Sequence, residues 1–209
     1  ARSASLHDVE LADAVFVLGE DLTNTEPMLD LAVKQAIRNK PIDDIQRIHI
    51  DRWNDAAIRE YVQEEKGPFY LATPSGTKLD EFATKTYRAA PADIARLGYA
   101  VAHELDSSAP SVKGLSDEMQ NIAKEIAKAL KDAKKPVVKS GMSMQDEAVI
   151  EAAANVARAL CKDDRKADIV YTLPECNSMG SAFIGGHDLE DAFEKIGGGK
   201  VETVVILEN

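Results

Sequence analysis

Short apolar runs and amphipathic stretches alternate along this chain of 209 residues. Apolar runs rich in β-branched residues are typical of strands that are buried on both faces of a parallel sheet. Such runs predict strands at Val15–Leu18, Ile45–Ile50, Phe69–Ala72, Val137–Lys139, Ile169–Leu173 and Val201–Leu207.

Between these strands, apolar residues recur at the spacing of one helix face, and capping residues mark where helices begin. One helix is predicted to begin near Thr25 and Pro27, and Ser116 is predicted to cap another. Further helices are predicted at Asn54–Gln63, with Asn54 as the cap, and at Pro91–Leu105, Asp146–Leu160 and Leu189–Ile196. The alternation predicts an α/β fold, with a Rossmann-like, mainly parallel sheet and helices on both faces.

The net charge and the cysteine content of the chain exclude several classes of function. A formal net charge of −11 disfavours a surface that follows nucleic-acid phosphates or binds an anionic membrane. No apolar run reaches the roughly 18 residues of a membrane span, so we expect no direct membrane insertion. Cys161 and Cys176 lack Cys-x-x-Cys spacing. We therefore expect reduced thiols and no iron–sulfur cluster held by this chain alone.

The turn after the first predicted strand is the leading candidate for a binding site, because ligands bind at the carboxyl ends of parallel strands. Its residues are Gly19, Glu20, Asp21, Thr23, Asn24 and Thr25. A helix N-terminus attracts anions, whereas the two carboxylates would repel a bound pyrophosphate. Three interpretations stay open at this point: a capped helix with solvated acids, a retained ligand site, and a structural interface.

A glycine-rich segment, Asn177–Gly186, is the second candidate, since glycines allow a ligand to approach the backbone closely. It does not match the dinucleotide-binding pattern of glycines. The segment is therefore as compatible with a surface loop as with a loop that binds a cofactor. The four histidines lack the spacing of metal ligands, and we predict no metal site and no catalytic residue.

Several stretches resemble one protein family, in the same order along the chain. The likeness begins with Ala12–Thr25 and continues through Thr86–Ala89, Ala95–His103, Ala133–Gly141, Glu151–Ala157, Asn177–Gly180 and Val205–Asn209. Together these stretches resemble the large iron–sulfur subunit, known as the G subunit, of bacterial NADH-quinone oxidoreductase, respiratory complex I.

The resemblance implies an internal piece of the molybdopterin oxidoreductase-like region of that subunit. The start at Ala1 without methionine and the end beside a strand pattern lead to the same expectation. The implied fold is a set of Rossmann-like lobes, with one lobe at 1–142 and the start of a second at 143–209. The resemblance also implies that the iron–sulfur clusters lie upstream and that this piece holds no cofactor.

Family members that bind the pterin carry an asparagine and a histidine where this chain has Asp21 and Glu26, and no molybdenum ligand can be assigned here. The resemblance therefore implies a vestigial site, made of the turn residues Gly19, Glu20, Asp21, Thr23, Asn24 and Thr25 with Asn177, Ser178 and Gly180. It also implies a non-catalytic structural lobe of an enzyme that carries electrons from NADH to quinone. The implied partners are other peripheral-arm subunits, on the cytoplasmic side of the inner membrane.

The alternative is a genuine enzyme domain that binds a pterin or thiamine diphosphate. Ala133–Gly141 also resembles the strand that opens the central domain of thiamine-diphosphate enzymes. That interpretation requires a diphosphate and a metal ion, and the chain contains no motif for either.

Overall fold

A computed structural model describes residues 1–46, 49–51, 53–162 and 165–206 of the chain. The chain divides into two compact units, Ala1–Thr172 and Leu173–Asn209, and each is described by itself. The division expected after residue 142 differs from this one, because residues 136–172 complete the sheet of the first unit.

The first unit is built on a six-stranded parallel sheet, which confirms the predicted fold class. Its strands are β1 (Arg2–Ser3), β2 (Ala14–Leu18), β3 (Phe69–Thr73), β4 (Lys85–Arg88), β5 (Pro136–Gly141) and β6 (Asp168–Thr172). Their order across the sheet is β1-β6-β5-β2-β3-β4. β1 and β4 were not predicted, because these short edge strands are polar and partly exposed and therefore contain no apolar run.

The helices of the first unit are α1 (Leu6–Glu10), α2 (Leu22–Thr25), α3 (Pro27–Gln46), α4 (Asp55–Val62), α5 (Pro91–Leu105), α6 (Asp117–Asp132) and α7 (Glu147–Leu160). The five longer helices, α3 to α7, begin close to the predicted positions, whereas the short helices α1 and α2 were not predicted. The side chains of Asn54 and Ser116 accept backbone N–H groups in the first turns of α4 and α6, which confirms both predicted caps. Asp146 caps α7 in the same way.

Side chains alternate along β2 between two hydrophobic cores. Phe16 and Leu18 belong to a core formed with α5, α6 and α7. Val15 and Val17 belong to a second core, formed with α1 and α3 on the other face. Because successive side chains of a strand point to opposite faces, a strand covered on both sides is apolar at every position. This explains why β2 and β3 were readable in the sequence.

Two predicted strands are wrong where the structure describes them. Ile45 lies in α3 rather than in a strand, and residues 47 and 48 of that prediction lie outside the described residues. A short apolar, β-branched run does not distinguish a strand from a buried helix segment. Residues 201–206 form no strand either, and Val205 is 77% exposed. Leu207 lies outside the described residues.

The second unit contains α8 (Ser178–Ile184) and α9 (Leu189–Gly197). The helix predicted at Leu189–Ile196 is confirmed as α9, which Asp188 caps. The loop predicted over Asn177–Gly186 is wrong, because α8 occupies most of it. Two of its three glycines, Gly185 and Gly186, lie at the end of the segment. Ser178–Ile184 contains one glycine, Gly180, and its other residues are compatible with a helix.

Candidate functional site

The order of the strands creates a crevice between the carboxyl ends of β2 and β5. β2 leads to its neighbour β3 through α3, on one face of the sheet. β5 leads in the opposite direction to β6 through α7, on the other face. The loops after these two strands therefore diverge, which is the topological switch point where α/β proteins bind ligands. The predicted turn at Gly19–Thr25 begins at this point.

Gly19 turns the chain away from the sheet directly after β2. Its φ is +78°, in the left-handed region that glycine adopts without a steric penalty. A Cβ atom at this position would lie 2.7 Å from Cγ of Met144, in the loop after β5. Gly19 therefore lets the two loops approach each other, and it directs Glu20 toward the crevice.

Glu20 is completely buried, with 0% exposure. Its Oε1 accepts the backbone N–H of Ser143 at 3.1 Å, and its Oε2 accepts the Ser143 hydroxyl at 2.5 Å. A Cβ atom at Gly141 would collide with the same carboxylate and would lie 2.6 Å from Cβ of Thr172. The interpretation of Glu20 as a solvated acid is therefore wrong: its carboxylate fills the crevice.

Lys139, the second charged group of the crevice, extends from β5 and is 1% exposed. Its Nζ lies 3.0 Å from Oε1 of Glu26, donates to the Ser140 carbonyl at 2.7 Å and also contacts Oγ1 of Thr172. Burial lowers the pKa of Lys139, while the charges of Glu26 and Glu20 raise it in part. Hydrogen bonds and opposite charges thus satisfy this cation inside the protein, as burial of a charge requires.

The remaining residues of the predicted turn bond to one another. The Asn24 amide donates to Oδ2 of Asp21 at 2.6 Å, and the Thr25 hydroxyl donates to the Asp21 carbonyl at 2.9 Å. Thr23 donates to Oδ1 of Asp30 at 3.3 Å. These bonds stabilise the short helix α2 and the start of α3. The Asp21 side chain, at the N-cap position of α2, accepts no backbone N–H group of that helix, so the capping interpretation stays a prediction.

Asn177, Ser178 and Gly180 belong to the second unit, whereas the turn belongs to the first. Asn177 has a φ of +73° and precedes α8, and Oγ of Ser178 accepts the backbone N–H of Glu175 at 3.2 Å. Their role as cofactor ligands remains a prediction.

Four residues of the crevice were missed as site residues: Glu26, Lys139, Ser143 and Thr172. Lys139 had a usable signal, because a lysine inside an apolar strand pattern requires a buried partner. Ser143 and Thr172 carry no such signal, since their role arises only when β2, β5 and β6 pair.

Within the described parts of the chain, no three His, Cys, Asp or Glu side chains are grouped so that they could hold a metal ion. In the same residues, no helix is both long and apolar enough to cross a membrane.

Comparison with known proteins identifies long relatives of which this chain matches one part. The G subunit of NADH-quinone oxidoreductase from Pseudomonas putida is 45% identical over 205 residues, and that from Shigella flexneri is 43% identical over 207. The Escherichia coli counterpart is 42% identical over 207 residues. Each match covers 98% of this chain but 23% of the relative.

No protein-family model matches the chain. The relatives nevertheless confirm the resemblance found in the sequence, since they match it from end to end at more than 40% identity. Over nearly all of its length, the chain is therefore a homologue of one segment of the G subunit of NADH-quinone oxidoreductase.

Proposed function

We propose that this chain is a structural, non-catalytic lobe of an NADH-quinone oxidoreductase subunit, with a vestigial cofactor site. In this proposal, electrons pass from NADH to quinone through iron–sulfur clusters in other parts of the enzyme. The observation that carries the proposal is the occupied crevice: Glu20, at 0% exposure, binds both donors of Ser143 at the switch point.

Electrostatics supports this proposal over a retained pterin or nucleotide site. Both are phosphate-bearing ligands that would have to approach the partly exposed carboxylate of Glu26 and the carboxylate of Glu20, which is shielded from water. Like charges repel more strongly there than in solution. The cation of the crevice, Lys139, is already paired with Glu26 at 3.0 Å. The residues present therefore do not fit a phosphate-bearing cofactor.

The role proposed for the lobe is to support assembly. We propose that it packs against other peripheral-arm subunits on the cytoplasmic side of the inner membrane, and that the iron–sulfur clusters are bound upstream of the homologous segment. The homology to the G subunit supports this role, because that protein is named as a subunit of the oxidoreductase.

A genuine cofactor-binding enzyme domain, of the pterin or thiamine-diphosphate type, is the second candidate. One observation favours it: in the described residues, Asp21 Oδ1 and Ser140 Oγ are buried atoms without a hydrogen-bond partner. Buried polar atoms are normally satisfied, and a catalytic role is one of the explanations for an exception.

The cofactor content of the purified 209-residue chain separates the two candidates. Molybdenum, tungsten and magnesium are measured by elemental analysis, and released pterin, nucleotide or thiamine diphosphate by mass spectrometry after denaturation. We expect less than a tenth of an equivalent of each. A stoichiometric cofactor would refute the vestigial site and support the second candidate.

The assembly role needs its own experiment. The chain is co-expressed with the peripheral-arm subunits of the same organism, and a purification tag on one of those subunits is used to isolate the complex. We expect the chain to co-purify in a fixed ratio. A chain that stays separate from every peripheral-arm subunit while it is folded would contradict the proposed partners.

A further inference from the structure

We propose that the switch-point crevice is a binding site for a small oxyanion, and that the Glu20 carboxylate is its built-in ligand. This inference deepens the proposed function, because it states what closes the vestigial site. The predicted ligand class is a monocarboxylate of the size of acetate, which can enter only when the Glu20 side chain is removed.

The contacts of Glu20 are those of a bound anion. One backbone N–H and one hydroxyl, both from Ser143, point at one carboxylate and bind both of its oxygens, at 3.1 and 2.5 Å. Loops that bind free anions use the same kinds of donor, and charged acceptors strengthen such bonds. The donors come from the loop after β5, which is 123 residues away along the chain. The loop after β5 therefore provides the donors of an anion site, and Glu20, from the loop after β2, places its carboxylate in that site.

The surroundings of the carboxylate contain one buried cation and leave little room for an additional group. Lys139, buried at 1% exposure, is close enough for the charge of Glu20 to raise its pKa. Gly141 lines the other side, and the absence of a Cβ atom there provides the space that the carboxylate occupies. The space therefore holds a single small anion.

The substitution Glu20→Ala removes the atoms beyond Cβ, which are one methylene and one carboxylate. Acetate contains the same set of heavy atoms, so it matches the space that the substitution creates. The limit of binding energy per atom for very small ligands sets the tightest dissociation constant for acetate at roughly 0.04 mM. A titration up to about 50 mM acetate extends roughly a thousandfold above that limit.

The experiment compares the melting temperature of the full chain with and without acetate, at constant ionic strength maintained with chloride. We expect Glu20→Ala to have a lower melting temperature than the wild type. Added acetate should restore most of this difference, and the effect should saturate as the acetate concentration rises. Benzoate, which is too large for the space, should not restore the melting temperature. Binding of ¹³C-acetate, followed by NMR line broadening, should be seen with Glu20→Ala and not with the wild type.

Two further variants serve as controls. Asp30 is a buried carboxylate at 6% exposure that binds Lys34 at 2.8 Å and Thr23, which are both side-chain donors. Asp30→Ala should be destabilised without saturable recovery in acetate, because the space it opens has no room for the methyl group of acetate and has no backbone donor. Glu20→Gln keeps the space filled, so it should fold and should not respond to acetate.

Each outcome decides the inference. If Glu20→Ala is unfolded in buffer, refolding in acetate but not in chloride supports it. The absence of any effect specific to acetate overturns it, as does an equal response of Asp30→Ala. These results do not depend on the cofactor analysis, since a stoichiometric cofactor would refute the proposed function whether or not acetate binds to the variant.

Discussion

Replacement of Lys139 by methionine tests the charge balance of the crevice most directly. Lys139 Nζ lies 3.0 Å from Glu26 and 2.7 Å from the Ser140 carbonyl, and it also contacts Thr172. At about 1 kcal/mol for each lost hydrogen bond, the three contacts amount to about 3 kcal/mol. Loss of one partner from a buried pair costs about 3–5 kcal/mol. The Glu26 side chain is 22% exposed and can be partly hydrated, so we expect about 2–4 kcal/mol.

The double variant Lys139→Met/Glu26→Gln identifies the cause of this loss. Removal of both charges leaves neither partner of this ion pair without the other, and Glu20 keeps its two hydrogen bonds to Ser143. We therefore expect a free energy of unfolding within about 1 kcal/mol of the wild type. The coupling energy between the two positions should then reach at least about 1.5 kcal/mol. Lys128→Met, on the exposed side of α6, is the matched control and should change stability by less than about 0.5 kcal/mol.

Urea unfolding followed by far-ultraviolet circular dichroism provides the free energies, and an unchanged m value confirms that the variants unfold by the same transition. Trp53 is the only tryptophan and is 82% exposed, so its fluorescence is a weak probe. A Lys139→Met variant as stable as the wild type, or a double variant whose loss equals the sum of the single losses, would refute the reasoning.

The difference in stability between the wild type and Lys139→Met should depend on pH. Burial lowers the pKa of Lys139 below its ordinary value of 10.5, so in the interval below pH 10.5 the unfolded chain binds more protons than the folded one. Stability of the wild type relative to Lys139→Met should therefore rise with pH across that interval. A difference that stays flat or falls as the pH approaches 10.5 from below would contradict a buried, desolvated lysine. Tyrosines with a raised pKa, such as Tyr70 at about 12, affect both proteins alike and cancel in the difference.

Three further substitutions, the first of them with a matched control, test other contacts of the first unit. Gly141→Ala should cost about 1–3 kcal/mol in urea unfolding because its Cβ atom would collide with the crevice wall, whereas Gly76→Ala, with its nearest neighbour at 3.6 Å, should be nearly neutral. Asp13→Ala should cost about 1–2 kcal/mol because its carboxylate accepts two backbone N–H groups at 2.8 Å just before β5; an unchanged urea midpoint would contradict this. The hydrogen bond from Lys162 lowers the pKa of Asp106 to about 2 from 3.8. The excess melting temperature of the wild type over Asp106→Asn should therefore be complete above about pH 4, shrink as the pH falls and disappear below about pH 2; a difference that does not shrink between pH 4 and pH 2 would refute it.

The sequence predicted the central strands and long helices because their residues carry the pattern by themselves. β2 is apolar at each position, since it is covered on both faces, and α5 begins at Pro91 and ends at Leu105 as expected. β4 was missed for the opposite reason: Lys85–Arg88 lies at the edge of the sheet and is polar. Whether a strand could be predicted from the sequence thus depended on how far it is buried.

For the site, the sequence identified the turn and its unusual acids, but not the groups that bind them. Glu20 was a candidate because it follows a strand and a glycine. Its partner Ser143 is 123 residues away, and only the pairing of β2 with β5 brings the two together. A local pattern contains no information on such pairing, and for this reason Glu20 was read as a candidate for solvation when it is in fact buried.

The pairing of β1 with β6 has a consequence for synthesis on the ribosome. Arg2 and Asp168 are joined by hydrogen bonds across 166 positions, and Ala14 of β2 pairs with Pro136 of β5 across 122 positions. By contrast, β2, β3 and β4 are neighbours in both sequence and space. One half of the sheet can therefore form while the chain is still emerging, whereas the other half must wait for residue 172. Because contacts between distant residues slow folding and expose unpaired strand edges, the nascent first unit is expected to depend on chaperones during that interval.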